Sequence, residues 1–126
     1  MKTKKGDDVM YLNDWSNKED VVNSFLDYKP DEKEREDIMS YNILFASYTY
    51  QDYSGDAFVL CEKNGILYEV NGSHCSCYGL EGQWSPDKTS YKAIRHRIDN
   101  SEYFGVSYRE NTFRKELIEF LESRGG

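Results

Sequence analysis

Four consecutive residues, His74-Cys75-Ser76-Cys77, hold one of the two histidines and two of the three cysteines of this chain. Thiolate sulfur and neutral imidazole nitrogen are the ligands zinc prefers, so this cluster in a cysteine-poor protein points first to a metal site. His96 is the remaining nitrogen donor. Four side-chain ligands, His74, Cys75, Cys77 and His96, would close a structural zinc site with no open position for water. Such a site staples a strand to the following helix and does no chemistry. The spacing matches no standard finger pattern, and the alternative is a plain core-and-turn role for the same residues.

Strand pairing sets the geometry of that site. Asn64-Gly65 and Asn71-Gly72 both read as two-residue hairpin loops, since a type I′ turn needs positive φ at both central positions. On that register Cys61 lies opposite Tyr68, Tyr68 opposite Cys75, and Ile66 opposite Cys77, so Cys75 and Cys77 share a face. Cys61 falls two strands away, roughly 9 to 10 Å at the backbone, and reads as a small buried hydrophobe. His74 points to the face opposite Cys75 unless the strand bulges. His96 projects away from the Tyr91, Ile94, Ile98 stripe, as an exposed helical residue does. A cysteine nucleophile with His96 as base has no recognisable motif around it, and a Cys-x-Cys disulfide is strained. Glu69 and Glu81 form no paired acid and base. Gly79 and Gly82 lack the strand, helix and lysine of a phosphate loop.

The elements that would position these residues follow from punctuation and period. Ser16-Asn17-Lys18-Glu19 matches a capping box, Val21, Val22, Phe25 and Leu26 follow at helical spacing, and Pro30 ends the pattern. The run Asp31 to Asp37 is a short exposed helix or a linker. Strands are predicted at 43–48, 57–63, 66–70 and, more briefly, 75–78. A helix opens in Ser85-Pro86-Asp87-Lys88-Thr89-Ser90 and runs through Ile98. A last helix starts at Asn111 or Thr112, places Phe113, Leu117, Phe120 and Leu121 on one face, and ends at Gly125. The expected fold is α+β: an antiparallel meander of three to four strands with an N-terminal helix and two C-terminal helices covering one face. Residues 1–126 read as one domain, with 1–14 loosely ordered, 43–80 forming the sheet and 86–124 helical.

Composition narrows the partner. A net charge of -7 repels phosphate backbones, so direct nucleic-acid binding is not expected. The cations Lys88, Lys92, Arg95 and Arg97 lack an interleaved aromatic platform and read as a solvated helix face. No apolar run approaches a membrane span, the first eight residues have no signal-peptide core, and three cysteines make a poor disulfide framework; a cytoplasmic location is expected. The acidic stretch holding Glu32, Glu34, Glu36 and Asp37 could meet a cation-lined groove, or be a solvated face. Tyr48, Tyr50 and Tyr53 are candidate anchors for a protein partner, or alternate fillers of the core.

The segments Ala57-Phe58-Val59-Leu60 and Leu67 to Trp84, with Gly72-Ser73-His74-Cys75-Ser76-Cys77-Tyr78-Gly79-Leu80-Glu81-Gly82-Gln83-Trp84 at their heart, resemble a small family of uncharacterised bacteriophage and prophage proteins. The resemblance covers the central third of the chain and carries no activity with it. Small size, acidity and a Lys, Glu, Tyr and Asn-rich composition are also similar to phage inhibitors of bacterial defence, anti-CRISPR proteins among them. That likeness implies a non-enzymatic inhibitor in the host cytoplasm that binds a CRISPR effector nuclease such as Cas9 and blocks DNA loading or activation. The other readings are a small metal- or thiol-dependent enzyme and a regulatory adaptor for another host protein.

Overall fold

The computed structural model of the chain describes residues 9–26, 29, 31–51, 54–75, 79–107 and 110–124. Strands β1 (Met10–Asn13), β2 (Asn42–Gln51), β3 (Ser54–Lys63), β4 (Ile66–Cys75) and β5 (Asp87–Lys88) form one sheet in the order β1-β2-β3-β4-β5. The α+β class holds, but the sheet is mixed, because β1 pairs with β2 in parallel from Met10↔Phe45 to Asn13↔Tyr48. Met10–Asn13 thus forms an edge strand inside the stretch expected to be loosely ordered.

Helices cover both faces, which corrects the expected one-sided packing. Helix α1 (Lys18–Phe25) and α2 (Glu32–Met39) lie on one face, with Val21, Val22, Phe25 and Ile38 packed against Ile43, Ala46, Val59, Cys61 and Val70. On the other face, α3 (Tyr91–Asn100) and α4 (Arg114–Ser123) bring Ile94, Ile98, Leu117, Phe120 and Leu121 onto Leu44, Phe45, Phe58 and Leu60. A strand buried on both sides has no polar face to alternate with. The unbroken run Ala57-Phe58-Val59-Leu60-Cys61 is that signature, and every residue in it is buried. The β2–β3 register shifts between Ile43 and Phe45; this bulge turns Leu44 and Phe45 together toward α3 and α4.

The helix starts follow local chemistry. Asn17 caps α1, one residue later than the expected Ser16, by accepting from the Asp20 N–H at 2.9 Å, while the Asp20 carboxylate accepts from the N–H of Ser16, the residue before the cap, at 2.8 Å. Asp31 accepts from the Lys33 N–H, so the charge run resolves as a helix, α2. Ser90 caps α3, leaving Asp87–Lys88 as the edge strand beside Glu69 and Tyr68. Before α4, strands β6 (Val106–Ser107) and β7 (Glu110–Asn111) form a small hairpin. Gly105, at φ 80, turns its carbonyl onto the N–H groups of Thr112, Phe113 and Arg114, and the Asn111 side chain accepts from the Lys115 N–H.

The two Asn-Gly dipeptides behave differently. Asn64 (φ 54) and Gly65 (φ 78) form the expected turn between β3 and β4, and Cys61 pairs with Tyr68 as predicted. Asn71-Gly72 makes no turn. Strand β4 continues through it to Cys75, so Tyr68 faces Cys61 and Lys88, and Cys75 faces Ser54. Gly72 instead leaves room for Leu80 and Gln83, whose side chains stand 3.0 and 3.1 Å from where its Cβ would be.

Candidate functional site

With β4 regular to its end, alternation sends Tyr68, Val70, Gly72 and His74 toward the α1/α2 face. His74 lies over its cross-strand partner Gly55, where any Cβ would collide with the imidazole ring. Tyr48, two strands away, reaches the same ring, with its Oη 2.6 Å from Nε2, and His74 Nδ1 stands 2.8 Å from the Cys75 carbonyl. A carbonyl only accepts, so Nδ1 carries the proton and Nε2 accepts from the Tyr48 hydroxyl; the neutral imidazole satisfies both contacts. Burial pushes the Tyr48 phenol above its ordinary value, and Asp14, Tyr50 and Glu81 push the same way, which keeps the hydroxyl a donor. The Tyr48 ring stacks on Trp15 at 5.2 Å, and Tyr50 meets His74 edge-on at 5.0 Å.

The site expected to hold zinc is divided by this geometry. His74 belongs to the α1/α2 side with both ring nitrogens engaged. Cys75, the next residue of the strand, is exposed and alternates to the opposite side. His96 is exposed on α3, where Asn100 donates to its Nδ1 at 3.2 Å. Cys77 lies outside the described residues. Among the described residues no three His, Cys, Asp or Glu side chains gather around one point. Nor does the Cys75 thiol meet a histidine ring nitrogen there, as a thiol nucleophile needs. Cys61 is fully buried and its thiol is pushed up to about 12 by burial, with Lys18 acting weakly the other way, so it packs as an inert hydrophobe.

The acidic candidates form a real surface. Only Ile38 of α2 is buried; Glu32, Glu36 and Asp37 are exposed and Glu34 is half-buried. Between Lys18 and Met39 the sequence carries eight carboxylates and four cations. Two of those cations serve the layer itself. Lys18 donates to the Met39 carbonyl at 2.8 Å, and Arg35 pairs with Glu19 at 3.0 Å while donating to Asn23, which ties α2 to α1. Tyr50 is 45% exposed on the same side of the sheet, its N–H held by Asp14 at 3.1 Å. Tyr53 lies outside the described residues.

Sequence reasoning missed Gly55 and Gln83. A glycine inside a strand pattern signals close approach, and Gly55 is where His74 needs it. Gln83 covers the open edge of β4: its Oε1 accepts from the Ser73 N–H, and its Nε2 donates to the Ser73 carbonyl, each at 2.9 Å. A side-chain amide thereby takes the place of a neighbouring strand, which protects the edge from pairing with another chain. Comparison of the chain with protein-family models, with curated proteins and with solved structures found no match.

Proposed function

We propose that the protein is a non-enzymatic binding module that occludes the cation-lined, nucleic-acid-binding surface of a partner protein in the host cytoplasm. A CRISPR effector nuclease is the partner that the likeness to phage anti-defence inhibitors implies. The observation that carries this reading is α2, a helix with one buried side chain that directs Glu32, Glu36 and Asp37 outward. The pairing of Arg35 with Glu19 uses one cation of the layer internally and leaves the outer carboxylates to dominate its field. Such a surface competes for lysine- and arginine-rich grooves that otherwise hold a phosphate backbone, and steers association in a salt-dependent way. Tyr50, exposed on the same side of the sheet, supplies an aromatic contact.

The test is retention of purified nuclease effectors on the immobilised protein across a salt series, with nuclease activity on duplex DNA measured in parallel. An effector is expected to be held at low salt and released as salt rises. The variant Glu32→Gln/Glu36→Gln/Asp37→Asn, with unchanged circular dichroism, is expected to associate at least about tenfold more slowly. Retention of no effector at low salt, or equal retention of the neutralised variant, rejects the reading.

A further inference from the structure

On the opposite face from the acidic helices, a cleft of about 450 Å³ opens between the ends of β2, β3 and β4 and the turn that precedes β6. Its floor is a row of cross-strand neighbours, Thr49↔Asp56 and Asp56↔Ser73, followed by Asn71 beside Phe58. The charge of that floor is one-sided. Asn71 gives one amide N–H to Glu69 at 2.9 Å and keeps its side-chain carbonyl as an acceptor and its second N–H as a donor. Both ends of the Gln83 amide are taken by backbone groups. The Asp56 carboxylate has no hydrogen-bond or ion-pair partner among the described residues, and it is the single charged group among those that line the cleft. The floor therefore offers one negative charge at Asp56 and a carbonyl acceptor at Asn71, with hydroxyls at Thr49 and Ser73.

The wall is aromatic. Phe58 and Phe113 stack at 5.1 Å and 6°, and Phe104 meets both rings edge-on at 5.5 and 5.6 Å. Arg97 already lies over the Phe104 ring at 4.9 Å, so this wall accepts a guanidinium in the protein's own packing. At the rim Tyr103 is 74% exposed. The wall is held rigidly, because Arg114 donates to the carbonyls of Ser101 and Phe104 at 2.6 and 3.1 Å, and the Gly105 carbonyl is fastened to the start of α4.

We infer that this cleft is a recognition site for an arginine side chain presented by a partner protein. A guanidinium is planar, carries five N–H donors and no acceptor, pairs with a carboxylate in a two-pronged fork, and stacks on aromatic faces. Those properties answer, in turn, the Asn71 carbonyl, Asp56, and the Tyr103 rim. A phosphate or carboxylate ligand finds no cation among the described lining residues and meets Asp56 as a like charge. The site is separate from the α1/α2 layer and does not depend on what that layer binds.

The experiment is an NMR titration of the full chain with the capped tripeptide acetyl-Gly-Arg-Gly-amide, beside its citrulline and lysine counterparts and free L-arginine. Saturable shifts confined to the amides around Asp56, Ser73 and Tyr103 are expected, with a Kd on the order of 1 mM for so short a probe. Asp56→Asn is expected to weaken binding about tenfold or more, and Tyr103→Ala about threefold, with the remaining spectrum unchanged. Should Asp56→Asn disturb the fold, Tyr103→Ala at the exposed rim still decides the matter. No shifts, shifts located elsewhere, or equal binding of the citrulline or lysine peptide would overturn the site. Free L-arginine binding as tightly as the peptide would overturn the assignment to a partner protein.

Discussion

The two faces of the sheet are closed by different chemistry. Toward α3 and α4, Phe45, Phe58, Phe104, Phe113 and Phe120 form a connected set of ring contacts, fastened at the margins by Arg97 on Glu69 and by Arg114 on backbone carbonyls. Toward α1 and α2, the strands contribute smaller side chains, Ala46, Ala57, Val59, Cys61 and Val70, and the end of that layer is a polar-aromatic group of Trp15, Tyr48 and His74. One face gains stability from apolar volume, and the other ends in side chains whose hydrogen bonds must be satisfied together. The difference teaches that the signature histidine is part of a packed assembly on the side of the sheet that also carries the acidic helices.

The largest effect that sharpens this contrast is expected at Phe45, which is fully buried against three other rings. Phe45→Ala should cost about 3 to 5 kcal/mol in denaturant unfolding, whereas Val59→Ala on the other face should cost about 1 to 3 kcal/mol. Equal losses would break the comparison.

Next is the Glu69–Arg97 pair, with contacts of 2.7 and 3.0 Å and a further 2.9 Å bond from Asn71. Glu69→Gln is expected to cost about 1 to 3 kcal/mol, less than a fully buried pair would, because the Arg97 side chain is 39% exposed. Burial alone raises the Glu69 carboxyl, but hydrogen bonds from Arg97, Asn71 and Thr89, together with the Arg97 charge, outweigh it and hold the group below its ordinary value. A carboxyl depressed in the folded state contributes stability that is present above its unfolded value, about 4.3, and is lost as pH falls through the folded value. Thermal melting between neutral and acid pH should therefore show the variant's deficit shrinking on acidification.

On the α1/α2 face, Gly55→Ala forces His74 off the strand and breaks its bond to Tyr48, at about 1 to 2 kcal/mol. The double variant with His74→Ala is expected to recover part of that loss, and strict additivity in the cycle would show that the ring does not rest on Gly55. Tyr48→Phe removes only the hydroxyl and should cost about 0.5 to 1.5 kcal/mol. The smallest expected effect is that of zinc. Because both His74 nitrogens are engaged, equimolar Zn²⁺ is expected to leave the His74 ring-nitrogen resonances unshifted. A shift reversed by chelator would show that His74 leaves Tyr48 to bind the ion.

Much of this fold was legible in local pattern. The α1 and α3 stripes, the Asn64-Gly65 turn and the Cys61↔Tyr68 pair are each set by a few neighbouring residues. The second face was legible too, in the apolar run Ala57 to Cys61, but such a run resembles an ordinary half-buried strand unless its missing alternation is weighed. Strand β1 was not legible, since four residues with no turn to β2 reveal nothing of a parallel partner more than thirty positions away. Two of the candidate zinc ligands, His74 and Cys75, are adjacent in sequence, yet adjacency along a strand places side chains on opposite faces.

By itself, the sequence determined the helical stripes, the acidic balance of α2 and the residue types available for metal or protein binding, because these depend on spacing and composition alone. Tertiary structure decided which face each strand residue serves and whether an Asn-Gly pair turns. It also set His74 on Gly55 beneath Tyr48. Asn64-Gly65 has no neighbour crowding the space at Gly65, while Gly72 is held extended between β3 and the Gln83 amide with Leu80 packed on it. The same dipeptide takes two conformations because its long-range partners differ, and those partners are assembled only when the sheet is.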